Sequence, residues 1–181
     1  MIESIKKSMV MFLLVTAFTS CNQGATLQTY YVDNELKPGF ASFDVPASFV
    51  DVDGIEMTDQ QREAYESVDK LNVLTYIEEN TDADEYKVEL EKVKVIIKNP
   101  KYEELMRGGN STDGKFVVKF LGEVDNIDEL IVFGNATDKG FMIARILGDD
   151  MNAGKLMSLQ SVLKDAKFED TNLNGLTDFF K

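Results

Sequence analysis

Histidine and tryptophan are absent from the 181 residues, cysteine occurs once, at Cys21, and proline three times. Without histidine the chain lacks the commonest general base and the commonest metal ligand, so an enzyme here would work with carboxylates, Lys, Tyr or Ser alone. One cysteine excludes a disulfide framework and a thiolate metal centre. Positive charge is also scarce: 19 Lys and Arg face 32 Asp and Glu, a net charge of −13. Such a chain is repelled by nucleic acid phosphates, and we expect no nucleic-acid partner. No later stretch reaches the roughly eighteen apolar residues of a membrane-spanning helix. No G-x-S-x-G, P-loop or dinucleotide fingerprint occurs, nor any internal repeat.

What is present starts at the N-terminus. Lys6 and Lys7 precede an apolar run, Met9 to Phe18, broken only by Thr16. That is the size of a signal-peptide core. It ends in Phe18-Thr19-Ser20-Cys21, small residues followed at once by the single cysteine, which is the lipobox arrangement; the departure is Phe18, where Leu is usual. The rival is an ordinary secretory signal with a chance cysteine. We expect residues 1–20 to be a lipoprotein signal peptide and Cys21 to be the lipidated N-terminus. Residues 21–37 are expected to be a lipid-anchored tether, and 38–181 a single α+β domain. Within the tether, Tyr30, Tyr31 and Val32 are apolar enough to pack on that domain.

Periodicity gives the elements. Phe40 and Phe43 flank a short extended piece, and Pro46 is placed to open one helical turn. Thr58 and Gln61 form a capping box, predicting a helix to about Lys70 with Ala64, Tyr65, Val68 and Leu71 on one face. Leu71 to Ile77 alternates as a strand. Tyr86, Leu90, Val93 and Ile97 form one helical stripe, ended by Asn99-Pro100, and Tyr102 to Met106 reads as a short turn. Three β-rich runs follow, Phe116–Leu121, Leu130–Phe133 and Phe141–Leu147. Their short loops argue an antiparallel meander, because parallel strands need longer crossovers. Asn152 is expected to cap a last helix with Leu156, Leu159, Leu163 and Ala166 inward. The fold class is α+β: an antiparallel sheet with a C-terminal β-meander, covered mainly on one face by amphipathic helices.

Several strings carry a family likeness: LQTYYV from Leu27, VPASF from Val45, KLNVLTY from Lys70, YEELM from Tyr102, and GF…R-ILGDDMN from Gly140 to Asn152. Together they resemble the Bacteroidota envelope lipoproteins designated domain of unknown function 4252. The resemblance covers most of the chain after Cys21 and implies an exported, usually lipidated domain; it carries no catalytic residues over. Surface-exposed lipoproteins of this group resemble one another in an acidic cluster just after the lipidated cysteine. Here Asn22 to Thr26 is uncharged and the first acid is Asp33. We therefore expect an outer-membrane lipoprotein facing the periplasm, held to the membrane through its lipid only, with another envelope protein as a candidate partner.

One spacing looks like a ligand set. Asp170, Asn172, Asn174 and Asp178 place oxygens at the first, third, fifth and ninth positions of a calcium loop, with Gly175 at the sixth. The twelfth position, which should supply a bidentate Glu, is Lys181. A plain turn is the competing reading, and no cofactor is expected. Asp51-Val52-Asp53-Gly54 has too few donors to hold an ion. Asp149 and Asp150 are adjacent at a strand end and point apart, which suits the N-terminus of the last helix better than acid/base chemistry. Met142, Met151 and Met157 read as core. The functional expectation is a non-enzymatic binding or protein-interaction module; the alternative is a carboxylate-dependent hydrolase of envelope polymers.

Overall fold

The structure, a computed structural model, describes residues 24–77, 82–110, 114–136, 139–159, 161–162 and 167–168. Helix α1 (Leu27–Asn34) opens the described chain, capped by the Thr26 hydroxyl and a reciprocal Thr29 bond. Leu27, Tyr30, Tyr31 and Asn34 are buried at the spacing of one helix face, so the packed fold begins inside the stretch expected to be a tether. Val32, expected to pack with the tyrosines, is 62% exposed.

Strand β1 (Phe40–Pro46) follows, then a 3-10 turn (Ala47–Phe49) and the short β2 (Val50–Asp51). Pro46 closes β1 and stands just before the turn. Helix α2 (Asp59–Glu66) has the expected Thr58–Gln61 capping box. It stops at Ser67, not near Lys70, and Val68, expected on the helix face, begins β3 (Val68–Ile77). The reason lies across the sheet. The Asp149 N–H donates to the Ser67 carbonyl at 3.1 Å, and a Cβ on Gly148 would sit 1.9 Å from that oxygen. The backbones touch here, and the local signal for more helix loses to that pairing.

Helix α3 (Ala83–Ile97) buries the expected stripe of Tyr86, Leu90, Val93 and Ile97. Four strands then run antiparallel: β4 (Glu103–Asn110), β5 (Gly114–Glu123), β6 (Asn126–Ala136) and β7 (Gly140–Met151). The last three are the expected meander. Tyr102 to Met106 is not a separate turn, since β4 takes Glu103 onward as an edge strand. Asn152 caps α4 (Ala153–Ser158), with Leu156 and Leu159 buried. Leu163 and Ala166 lie outside the described residues; Lys167–Phe168 form β8, paired with β2.

The sheet order is β1-β3-β7-β6-β5-β4, antiparallel throughout, and with four described helices the fold is α+β. Helix α3 carries the chain from β3 across the sheet to β4 at the far edge, the long connection that parallel-running strands require. Both faces are covered, unequally. Helices α1 and α3 pack on Leu74, Tyr76, Ile131, Phe133, Phe141 and Ile143. On the other face, α2 and α4 pack over Val118, Phe120, Ile127 and Leu130. Met142 and Met151 are fully buried, whereas Met157 is 45% exposed and not core.

Candidate functional site

The face under α1 and α3 is a grid of register lines. One line crosses all six strands: Asp44, Asn72, Arg145, Ile131, Lys119, Glu104. The next runs Ser42, Leu74, Ile143, Phe133, Val117, Arg107, and supplies most of the apolar centre. A third holds Phe40, Tyr76 and Phe141 at the β1 side, where the rings of Tyr76 and Phe141 stack at 5.4 Å, and Lys115 at the β5 side. The polar line has two ends of opposite character.

At the β1 end every polar group has a partner. The Tyr31 hydroxyl donates to Asp44 at 2.9 Å, and the Asn72 amide donates to the same carboxylate oxygen. Further in, the Arg145 guanidinium donates to Glu129, with both side chains almost fully buried. Tyr30 donates to Glu89 at 2.7 Å. Burial first, and then the hydrogen bond to a carboxylate, pushes both Tyr30 and Tyr31 above the ordinary tyrosine range. Among the described residues no buried side-chain polar atom lacks a partner. Asp44 and Glu129 are thus each engaged by fixed donors, and neither lines one of the two grooves described below.

At the β4 end the sheet is open. Between the last turns of helix α3 and strands β4, β5 and β6 lies a groove of about 570 Å³. Ile97, Val117 and Phe133 make an apolar floor; Lys94 and Lys98 come from the helix, and Arg107, Lys115 and Lys119 from the sheet. Glu104 is the sole carboxylate among the described residues of the lining. Phe116, 36% exposed, alternates to the opposite face of β5, where its ring lies over Gly108 at 2.7 Å from where an added Cβ would sit. Two of these charges are answered internally: Arg107 grips Glu104 through Nε and a terminal nitrogen, and Lys94 pairs with Glu91 at 2.8 Å. The hydrogen bond from Arg107 holds Glu104 below the usual carboxylate range, and Lys94, with the charge of Lys98 behind it, does the same for Glu91. Lys119 donates at 2.8 Å to the Tyr102 carbonyl and forms no ion pair among the described residues, although its charge acts on Glu104 across the strand pair. Lys98 and Lys115 form no ion pair among the described residues.

A second groove, about 650 Å³, lies on the other side of α3. Ala25, Tyr30, Val88, Val95 and Ile96 line most of it. Val88 and Val95 are 54% and 67% exposed.

The residues singled out from the sequence fall elsewhere. Cys21 and the calcium-loop candidates Asp170, Asn172, Asn174 and Asp178 lie outside the described residues. Asp53 and Gly54 sit in an exposed turn, and no cluster of three or more potential metal ligands occurs among the described residues. Asp149 and Asp150 are exposed, and Asp150 takes a left-handed conformation, φ 54°. The GDDMN string is accounted for by packing. Gly148 allows the contact with Ser67, Asp150 turns the strand, Met151 is fully buried, and the Asn152 side chain accepts from the Lys155 N–H at 3.1 Å. No described helix is long and apolar enough to cross a membrane.

The cationic groove was missed because its residues are scattered. Lys94 and Lys98 repeat at a helical interval, and Lys115, Val117 and Lys119 alternate along β5, but nothing local joins the two sets. The alternation in KFVVKFL was the one available signal, a strand with lysines on the same side as a valine.

The family model for the domain of unknown function DUF4252 matches residues 31–159, from the middle of α1 through α4. The chain belongs to that family. No curated protein and no solved structure gives a significant match.

Proposed function

We propose that this chain is a lipid-anchored, non-enzymatic binding module of the cell envelope, attached through Cys21 to the outer membrane and facing the periplasm. The observation that carries the reading is how soon folded structure follows the expected anchor. Ala25 already lines a groove with Val88 and Val95, and Leu27 is 1% exposed. Ala25 is four positions after Cys21, at most roughly 14 Å of extended chain. A lipid on Cys21 would hold α1 and α3 close to the bilayer. Two or more acyl chains make such an anchor stable, each buried CH₂ contributing about 0.8 kcal/mol.

Binding is favoured over hydrolysis by the state of the carboxylates. A hydrolase would bring two acids together at an open cleft with unequal proton affinities. Here Asp44 and Glu129 are held by Tyr31, Asn72 and Arg145, and the open groove is cationic. The test is Cys21→Ala, followed by palmitate labelling and membrane fractionation. We expect loss of label and release from the membrane fraction; a variant that stays labelled and bound overturns the anchor. Protease added to intact cells should leave the wild type uncut, and digestion would overturn the periplasmic orientation.

A further inference from the structure

The groove at the β4 end reverses the sign of the molecule locally. In a chain of net charge −13, three ammonium groups, Lys98, Lys115 and Lys119, line one apolar floor without an ion pair among the described residues. Gathering like charges costs free energy in the unliganded fold, and a cleft lined by one sign concentrates oppositely charged ligands. Three features restrict what fits. The volume, about 570 Å³, lies in the small-molecule range and is too short for a nucleic-acid track. Lysine acts as a point charge suited to a compact anion, whereas the one planar fork, Arg107, is already taken by Glu104. Ile97, Val117 and Phe133 offer an apolar surface that a bare inorganic ion would leave unused.

We propose that this groove binds a phosphate ester with an apolar body, the phosphate held by Lys98, Lys115 and Lys119 and the body laid on Val117 and Phe133. The inference rests on the reading of the domain as a binding module and names its ligand class. It is independent of the anchor: fractionation of Cys21→Ala is blind to the groove, and a titration of purified protein is blind to the lipid. A lipid headgroup and a soluble phosphate ester share this chemistry.

The test is calorimetric titration of the purified protein with 1-naphthyl phosphate, and in parallel with inorganic phosphate and with 1-naphthol. Each ligand half engages only the rim or the floor, so the whole should bind at least about tenfold tighter than either. Lys98→Glu and Lys115→Glu should each weaken it by about tenfold or more, since each removes a charge-assisted contact and adds a repulsion. Lys87→Glu, on the other side of α3, should change it less than about twofold and controls for net charge. Far-ultraviolet spectra and melting curves of the variants show that they remain folded. Displacement of bound 1-naphthyl phosphate by phosphatidylglycerol vesicles, but not by phosphatidylcholine vesicles, assigns a lipid headgroup as the source. Binding without such displacement assigns a soluble ester. Binding no tighter than inorganic phosphate, or equally lost in Lys87→Glu, overturns the proposal.

Discussion

The two ends of one register line solve opposite problems with the same kinds of side chain. On the β1 side, Arg145 and Glu129 bring charge into a covered region and cancel it there, while Asp44, exposed nearby, is held by the neutral donors Tyr31 and Asn72. On the β4 side, Lys119 and its companions bring charge of one sign to an open groove and leave much of it uncancelled. Complementary charge placed under a helix serves the fold. Uncancelled charge beside an apolar floor is costly to the fold and becomes favourable when something else arrives. Net charge hides this difference, because −13 describes the whole surface and neither end of the line.

The largest effect expected at the covered end comes from breaking its ion pair. Arg145→Ala strands Glu129 as a buried, unpaired carboxylate, which should cost about 3–5 kcal/mol in urea unfolding. Replacing both partners, Glu129→Leu with Arg145→Met, should recover most of that loss, since a buried pair is often no better than an apolar one of similar volume. A double variant as unstable as Arg145→Ala would mean the pair does more than neutralise itself.

A smaller effect separates the covered end by pH. Tyr30 keeps its proton more tightly when folded than unfolded, through burial and its bond to Glu89. The contribution is fully present below the unfolded tyrosine value of about 10 and is lost as pH rises above it, because the unfolded chain releases a proton the native state retains. Stability measured from pH 9 upward should therefore fall, and Tyr30→Phe should flatten the fall. An unchanged slope would remove Tyr30 from the account.

How much of this could be read from the residues follows the same division. Helix α3, the meander and the caps at Thr58 and Asn152 were legible because their signals are local: a stripe, alternation, a side chain that reaches its own backbone. Helix α1 lies within the stretch expected to be a tether, yet Leu27, Tyr30, Tyr31 and Asn34 have the spacing of one helix face. Strand β4 has two glycines and no β-branched residue, so only its pairing with β5 makes it a strand. The polar line joins six strands that sequence order scatters from residue 44 to residue 145. No local pattern could have shown which of its charges would be cancelled.

The most direct test of the contrast is the smallest change, Lys115→Gln. If Lys115 is charge held ready for a ligand and not part of the fold, the variant should unfold at low ionic strength with a free energy equal to the wild type or up to about 0.5 kcal/mol higher, as repulsion in the groove is relieved. The same variant should lose affinity for 1-naphthyl phosphate. A variant clearly less stable than the wild type would show that the groove lysines hold the fold together, and the two ends of the line would no longer differ.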